Sequence, residues 1–232
     1  MRSAFHWLSE LEGLKVLDIG CGHGAFSIYA VSEGASAAAL DVNMERLRFA
    51  AEQSGGMGLP VSFLCGCSER LPFPDGVFDL VVSRSTLQYT CIPEVMDQCM
   101  RVLKPGGALI LVENMAHNPF LLLFRAFRRI TGNRIRLGTY IGNKAGAIKG
   151  YATVSRMETL LSGLSEGGCC FYHLFRPLSL GLCQIAGQAR WARFLDRGVE
   201  WLDKFLLKSI PPLRRFAWAG ALWGRKRVGD QR

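Results

Sequence analysis

The chain has 232 residues, 49% of them hydrophobic, which suits one domain with a substantial core and makes a second independent domain unexpected. No stretch approaches the roughly 18 uninterrupted apolar residues of a membrane span, and the first residues lack the apolar segment of a signal peptide, so we expect a cytoplasmic protein. The eight cysteines contain no Cys-x-x-Cys pair and are expected to be reduced thiols rather than disulfides or zinc ligands.

The net charge of +9 is divided unevenly along the chain. Residues 1–118 contain 8 basic and 13 acidic side chains, whereas residues 119–232 contain 20 basic and 6 acidic side chains. The first half therefore carries −5 and the second half +14. This asymmetry suggests that one half handles a cofactor and that the other meets an anionic partner.

Short β-rich runs alternate with helical patterns through the first half, which is the signature of βα units around a parallel sheet. We predict strands near 15–19, 36–41, 60–65, 77–83 and 107–113. We predict helices near 24–33, 44–54 and 93–103, the last one closed by Lys104-Pro105-Gly106-Gly107.

The first predicted strand ends in a glycine-rich loop, VLDIGCGHG over residues 16–24. Glycines at every second position allow positive φ angles and leave no Cβ between a ligand and the main chain. The helix that follows would turn its free N–H groups toward the same ligand. The sequence therefore predicts a binding site where this strand meets its helix.

Two cofactors fit this loop. Gly20, Gly22 and Ala25, with Asp41 about 20 residues further on, match the dinucleotide fingerprint. S-adenosylmethionine also offers ribose hydroxyls to Asp41. It carries an ammonium and a sulfonium in place of a pyrophosphate, and the anion Asp18 suits that positive end.

Three further motifs follow the loop in order. They are LDVN at 40–43, LPFPDGVFDLVVS at 71–83 and RVLKPGGALIL at 101–111. Over roughly residues 10–114 the chain resembles the class I S-adenosylmethionine-dependent methyltransferases, especially the branch with the ubiquinone and menaquinone methyltransferases. The resemblance implies S-adenosylmethionine as the cofactor. It also implies an α/β, Rossmann-like fold whose seven-stranded, mostly parallel sheet has an antiparallel last strand and helices on both faces. The helical patterns of the second half add cap insertions to this fold.

The ends of the predicted strands supply the candidate cofactor contacts. Asp41 would accept hydrogen bonds from both ribose hydroxyls, and the resemblance implies that the carbonyl of Ser83 lies near the methionine ammonium. Cys67 stands where the family usually carries an Asp for the adenine amino group, and a thiol accepts poorly, which leaves the N–H of Ser68 for a ring nitrogen. The candidate cofactor-binding residues are Asp18, Gly20, Cys21, Gly22, Asp41, Val42, Cys67, Ser68 and Ser83.

The second half is predicted to complete one domain, 1–232, with cap insertions at 114–152 and 178–212. A basic amphipathic helix is predicted at 120–130, followed by a glycine-rich lid at 131–150. The remaining predictions are a helix begun by a capping box of Ser155 and Glu158, a strand at 169–175, a helix at 188–208 and a seventh strand within 216–223.

The 188–208 helix combines a wide apolar stripe with flanking Arg and Lys, and four of the five tryptophans lie in the last 42 residues. This pattern fits peripheral contact with an anionic membrane surface, although the same stripe could pack on the sheet. Nucleic acid is the less expected partner. Proteins that bind nucleic acid usually combine basic residues with exposed polar and aromatic surfaces, whereas here the basic residues border apolar stripes. We therefore expect a cytoplasmic protein that can lie at the inner membrane surface.

The sequence thus predicts methyl transfer to a small, hydrophobic or lipid-linked acceptor. His117, Tyr140 and Tyr151 are candidates for a base, but we assign no catalytic residue. Two alternatives stay open: a catalytically silent S-adenosylmethionine-binding module that docks on a partner, which Cys67 and the missing base both allow, and a nucleic-acid methyltransferase.

Overall fold

A computed structural model describes residues 8, 10–120, 122–123, 150–175, 179 and 190–228 of the chain, and these residues form a seven-stranded sheet flanked by helices. The strands are β1 Lys15–Ile19, β2 Ser36–Asp41, β3 Val61–Cys65, β4 Phe78–Arg84, β5 Leu103–Asn114, β6 Ser165–Tyr172 and β7 Ala219–Arg225. The helices are α1 Ala25–Ser32, α2 Met44–Gly56, α3 Ile92–Val102, α4 Val154–Ser162 and α5 Arg190–Ser209.

The strand order is β3-β2-β1-β4-β5-β7-β6. Strands β1 to β5 pair in parallel, and β7 is antiparallel to both β5 and β6. The predicted fold class, including the antiparallel last strand, is therefore confirmed. The order reverses between β1 and β4, which opens a crevice at the carboxyl ends of these two neighbouring strands, where sheets of this kind bind their ligands.

Both faces of the sheet are buried, which explains why its strands are nearly continuous apolar runs. Residues alternate along each strand, so Leu17 and Leu109 enter one core cluster and Val16 and Ile110 enter the other. The first cluster includes Val95, Cys99 and Val102 of α3 and Met157 of α4. The second includes Ala30 of α1.

The structure corrects three local predictions. Thr153, not Ser155, caps α4, because its side chain accepts a hydrogen bond from the N–H of Arg156. The sixth strand begins at Ser165 and ends at Tyr172, since its antiparallel pairing with β7 extends over that range. The segment that was expected only to end the third helix, Lys104 to Gly107, belongs to β5, where the pairing with β4 shifts register.

Most of the predicted helix at 120–130 and nearly all of the predicted lid at 131–150 lie outside the described residues. The seventh strand is confirmed, with bounds that begin at Ala219 rather than Phe216. Within the described part of the chain, no helix has both the length and the apolar character needed to cross a membrane.

Helix α5 attaches to the rest of the fold through its acidic side. Asp203, 2% exposed, accepts hydrogen bonds from the N–H of Phe175 at 2.9 and 3.2 Å. Asp196 accepts a 2.7 Å bond from the hydroxyl of Ser179, and Leu207 is buried in the first core cluster. The opposite stripe is exposed and consists of Trp191, Phe194, Leu195, Trp201, Leu202 and Phe205. The interpretation that this stripe packs on the sheet is therefore wrong.

Candidate functional site

The glycine loop leaves β1 in a conformation that its sequence makes possible. Gly20 and Gly22 have φ angles of +70° and +56°, in the left-handed region. The N–H groups of Gly20 and Cys21 both donate to the carbonyl of Leu40, at 2.7 and 3.1 Å. These bonds tie the loop to the end of β2, so that Asp41 lies beside it.

Asp41 organises the loop through its side chain. One carboxylate oxygen accepts the N–H of Gly22 at 2.9 Å, and the other accepts the N–H of Asn43 at 2.8 Å. Each oxygen keeps a further acceptor position, because a carboxylate offers about four. Although only 6% of Asp41 is exposed, the side of Gly22 where a Cβ would stand has no protein atom within 4 Å. The site therefore combines open space with an anion that can receive hydroxyl donors.

Asp18 lies one layer deeper, between β1 and α1. Its carboxylate accepts a 2.6 Å bond from the hydroxyl of Ser27, and only 4% of the residue is exposed. Burial raises the pKa of Asp18 to about 6, against the opposing effect of the Ser27 hydroxyl. Asp18 thus adds negative charge behind the loop near neutral pH. The half-buried Cys21 has a raised pKa as well, mainly through desolvation, and stays a neutral thiol.

The other predicted residues occupy the same edge of the sheet. Val42 is 60% exposed directly after Asp41, and Cys67 is exposed beyond the end of β3. Ser68 is buried, and its hydroxyl donates to Glu69 at 3.2 Å. Ser83 is fully buried next to Ile19 of β1, with no hydrogen-bond partner for its hydroxyl in the described structure. The structure therefore brings all nine candidates to one end of the sheet, and their contacts with a cofactor remain predictions.

Glu113 is a residue of this edge that the sequence analysis missed. One of its carboxylate oxygens accepts the N–H groups of Thr86 and Leu87, each at 3.1 Å. Burial raises the pKa of Glu113 to about 7, although these backbone bonds favour the charged form. Thr86 in turn packs against Gly20. Glu113 therefore holds the turn after β4 against the glycine loop. An acid near the end of a buried apolar strand, as at Asp41, was the available signal.

A groove lies beside this turn. It has a volume of about 590 Å³ and runs between the start of α3 and the start of α4. Its walls combine apolar Leu87, Ile92 and Leu160 with polar Thr90 and Thr153. Of the candidate bases, His117 is exposed and Tyr151 is half-buried, and neither lines the groove. Tyr140 lies outside the described residues.

The two carboxylates at the loop and its open side fit S-adenosylmethionine. Asp41 can accept from ribose hydroxyls, and the negative charge of Asp41 and Asp18 suits a sulfonium and an ammonium. A pyrophosphate would bring its own negative charge toward these acids. The residues present therefore favour S-adenosylmethionine over a dinucleotide.

Comparison with known proteins agrees with this chemistry. Residues 17–111 match the model of a methyltransferase domain. The chain is 33% identical, over 53% of its length, to malonyl-[acyl-carrier protein] O-methyltransferase of Pectobacterium atrosepticum. It is 31% identical, over 44% of its length, to ubiquinone biosynthesis O-methyltransferase of Rhizobium etli. The chain spans 47% and 41% of the length of these two relatives.

The fold has solved counterparts. A SAM-dependent methyltransferase from Methanosarcina mazei superposes with a TM-score of 0.60, covering 98% of this chain and 99% of the other at 20% identity. At that identity the likeness shows the fold alone. The matched domain and the curated relatives show that residues 17–111 are similar to methyltransferase domains.

Proposed function

We propose that the protein transfers a methyl group from S-adenosylmethionine to a small, hydrophobic or lipid-linked acceptor. The observation that carries the proposal is the geometry of Asp41. Its carboxylate orders the glycine loop through the N–H of Gly22 and retains acceptor positions, and no protein atom lies within 4 Å of where a Cβ of Gly22 would stand. The two curated relatives act, by their names, on an acyl-carrier-linked molecule and in ubiquinone biosynthesis, which supports an acceptor of this class.

In this mechanism the residues of the chain bind the cofactor and orient the acceptor. The bound cofactor supplies an electrophilic methyl group with its own driving force. Asp41 holds the ribose, while the carboxylates of Asp18 and Asp41 place negative charge near the positive end. The groove beside Leu87 and Ile92 receives the acceptor, aligns it with the methyl group and excludes water. We assign no proton-accepting residue.

Cofactor binding is tested first by calorimetry with S-adenosylhomocysteine and NAD. We expect Asp41→Ala to weaken S-adenosylhomocysteine binding by roughly 1.5–3 kcal/mol, because hydrogen bonds to a charged group are lost. Glu52→Ala is the matched control, since Glu52 is an exposed acid on α2 away from the loop. Unchanged affinity in Asp41→Ala would remove Asp41 from the site, and binding of NAD alone would refute the methyltransferase proposal.

A catalytically silent binding module is the second candidate, and the exposed Cys67 at the expected adenine contact favours it. A transfer assay separates the two. Lipid and small-molecule extracts of the producing cells are incubated with the protein and methyl-labelled S-adenosylmethionine. Label in an extracted compound supports the enzyme. Tight cofactor binding without label in any fraction supports the silent module.

The acceptor is reached, on this proposal, from an anionic membrane surface to which α5 binds. The exposed stripe of α5 includes Phe194 at 77% and Trp201 at 67% exposure. Basic residues adjoin the stripe, with Lys204, Lys208 and Arg197 all exposed. Aromatic side chains beside Lys and Arg are the combination that binds the headgroup region, where each basic residue adds about 1 kcal/mol.

Vesicle co-sedimentation tests the membrane contact. The wild-type protein should bind phosphatidylserine-containing vesicles more than neutral ones, and high salt should reduce the binding. The double variant Phe194→Ser, Trp201→Ser should bind at least about tenfold more weakly, because burial of each aromatic side chain contributes roughly 1.5–3 kcal/mol. Met57→Ser, which removes a 61% exposed apolar residue elsewhere, is the control. Equal loss in the control, or equal binding to neutral vesicles, would contradict the proposal.

A further inference from the structure

Two buried oxygen atoms beside the turn after β4 have no hydrogen-bond partner in the described structure. They are the second carboxylate oxygen of Glu113, Oε2, and the amide oxygen of Gln88, Oε1. Glu113 is 3% exposed and Gln88 is 2% exposed. The amide orientation of Gln88 is fixed, because its Nε2 donates to the carbonyl of Ser85 at 3.1 Å. Both atoms are therefore buried acceptors without a hydrogen-bond partner in the described structure, and the backbone N–H of Gln88 lies near the same carboxylate.

These side chains line a small cavity. Its volume is about 10 Å³, which is room for about one water-sized group. Apart from Glu113, Gln88, Gly150 and Arg156, its walls are apolar, formed by Leu87, Ile92, Leu111, Ala152, Met157, Leu160 and Leu222. Leu87, Ile92 and Leu160 also line the groove described above, so the cavity adjoins the proposed acceptor site.

A buried acceptor without a donor costs about 1–3 kcal/mol, and a ligand that brings a donor removes that cost. We propose, building on the function proposed above, that Glu113 and Gln88 anchor a hydroxyl group of the methyl acceptor and reject a carboxylate. Alcohols and phenols offer an O–H to these oxygens. A carboxylate offers only further acceptors and adds its negative charge to a site that already holds Glu113.

Among the described residues that line the cavity, Arg156 is the one cation. It is exposed, so solvent screens its charge, whereas Glu113 is buried. The buried acceptor atoms, rather than the exposed guanidinium of Arg156, should therefore determine whether a carboxylate binds. The anchoring atom is also well placed, because the other oxygen of Glu113 binds the N–H of Thr86, and Thr86 packs on Gly20 of the cofactor loop.

Two probes with the same ring and tail isolate the head group: 4-heptylphenol and 4-heptylbenzoate. Their binding to the full chain saturated with S-adenosylhomocysteine is measured by calorimetry at pH 8. We expect the phenol to bind at least about tenfold more tightly than the benzoate. Glu113→Gln replaces the orphan oxygen by a donor, so it should weaken phenol binding about tenfold while leaving benzoate binding equal or tighter.

Gln88→Met removes the second acceptor and should also reduce the preference for the phenol. Glu94→Gln, at an exposed acid in the first turn of α3, should leave both affinities unchanged. Equal or tighter binding of the benzoate to the wild-type protein would overturn the inference, as would an equal loss for both probes in Glu113→Gln. The affinity for S-adenosylhomocysteine, measured in the same experiments, tests the proposed function separately. If the protein binds S-adenosylhomocysteine normally but does not distinguish the phenol from the benzoate, only this inference fails.

Discussion

Gly20→Ala is expected to lower the free energy of unfolding by roughly 2–5 kcal/mol. An alanine in the left-handed region costs about 1–2 kcal/mol, and forcing an extra methyl group into a packed site costs about 1–3 kcal/mol. The added Cβ would overlap the hydroxyl of Thr86 and lie 2.6 Å from its methyl group. The measurement is urea denaturation. Removing the obstacle in the double variant Gly20→Ala, Thr86→Gly should restore part of the loss, as a positive coupling in a double-mutant cycle.

Gly22→Ala is the matched control, because Gly22 has a similar φ of +56° but no protein atom within 4 Å of the added Cβ. It should lose only the roughly 1–2 kcal/mol of the left-handed conformation. The new methyl group points into the open space assigned to the cofactor, so S-adenosylhomocysteine affinity should fall at least about tenfold. Equal destabilisation by the two substitutions would contradict the packing argument for Gly20.

The first half of the chain was predictable because its signals are local. A buried parallel strand is a short apolar run, and β1 and β2 were predicted with the bounds that the structure gives. The glycine loop and Asp41 stand next to each other in space because both follow carboxyl ends of adjacent parallel strands, a rule that sequence order alone supplies. The sequence did not indicate which hydrogen-bond partner each side chain would have at the carboxyl edge of the sheet.

Glu113 shows what local patterns miss. Its role depends on the N–H groups of Thr86 and Leu87, which lie 27 and 26 residues away in the chain. Those groups reach it because β4 and β5 pair with Arg84 opposite Val112. No sequence motif indicates that a carboxylate will bind the turn that follows the neighbouring strand. An acid near the end of an apolar run makes Glu113 a candidate, but its role is found only once the strand register is known.

Helix α5 shows a second limit. Its amphipathic pattern was predicted correctly, but a pattern states only that two faces differ. Packing usually buries the apolar face, whereas here the apolar face is exposed and the opposite face carries Asp203 and Asp196, which bind groups on Phe175 and Ser179. The sequence does not reveal the hydrogen-bond partners of these two acids.

The stability of the protein should fall between pH 5 and pH 8, mainly because of Glu113. Burial raises its folded-state pKa from 4.5 to about 7, so between these values the folded protein binds more protons than the unfolded chain. Stability therefore decreases as the pH rises through this window, by on the order of 3 kcal/mol when Glu113 is fully ionised. Asp18 acts in the same direction from 3.8 to about 6, where burial again favours the neutral acid.

Urea denaturation of the wild type and of Glu113→Gln at pH 5 and pH 8 measures this effect. The amide keeps an oxygen for the N–H groups of Thr86 and Leu87 but has no proton to lose, so most of the difference between the two pH values should disappear. Asp79, whose pKa is lowered by Lys104, titrates below the window and leaves the comparison intact. Glu94→Gln should retain the wild-type slope. A slope that persists in Glu113→Gln would mean that the buried carboxyl is ionised in the folded protein across the whole range, held so by the two backbone donors that it accepts.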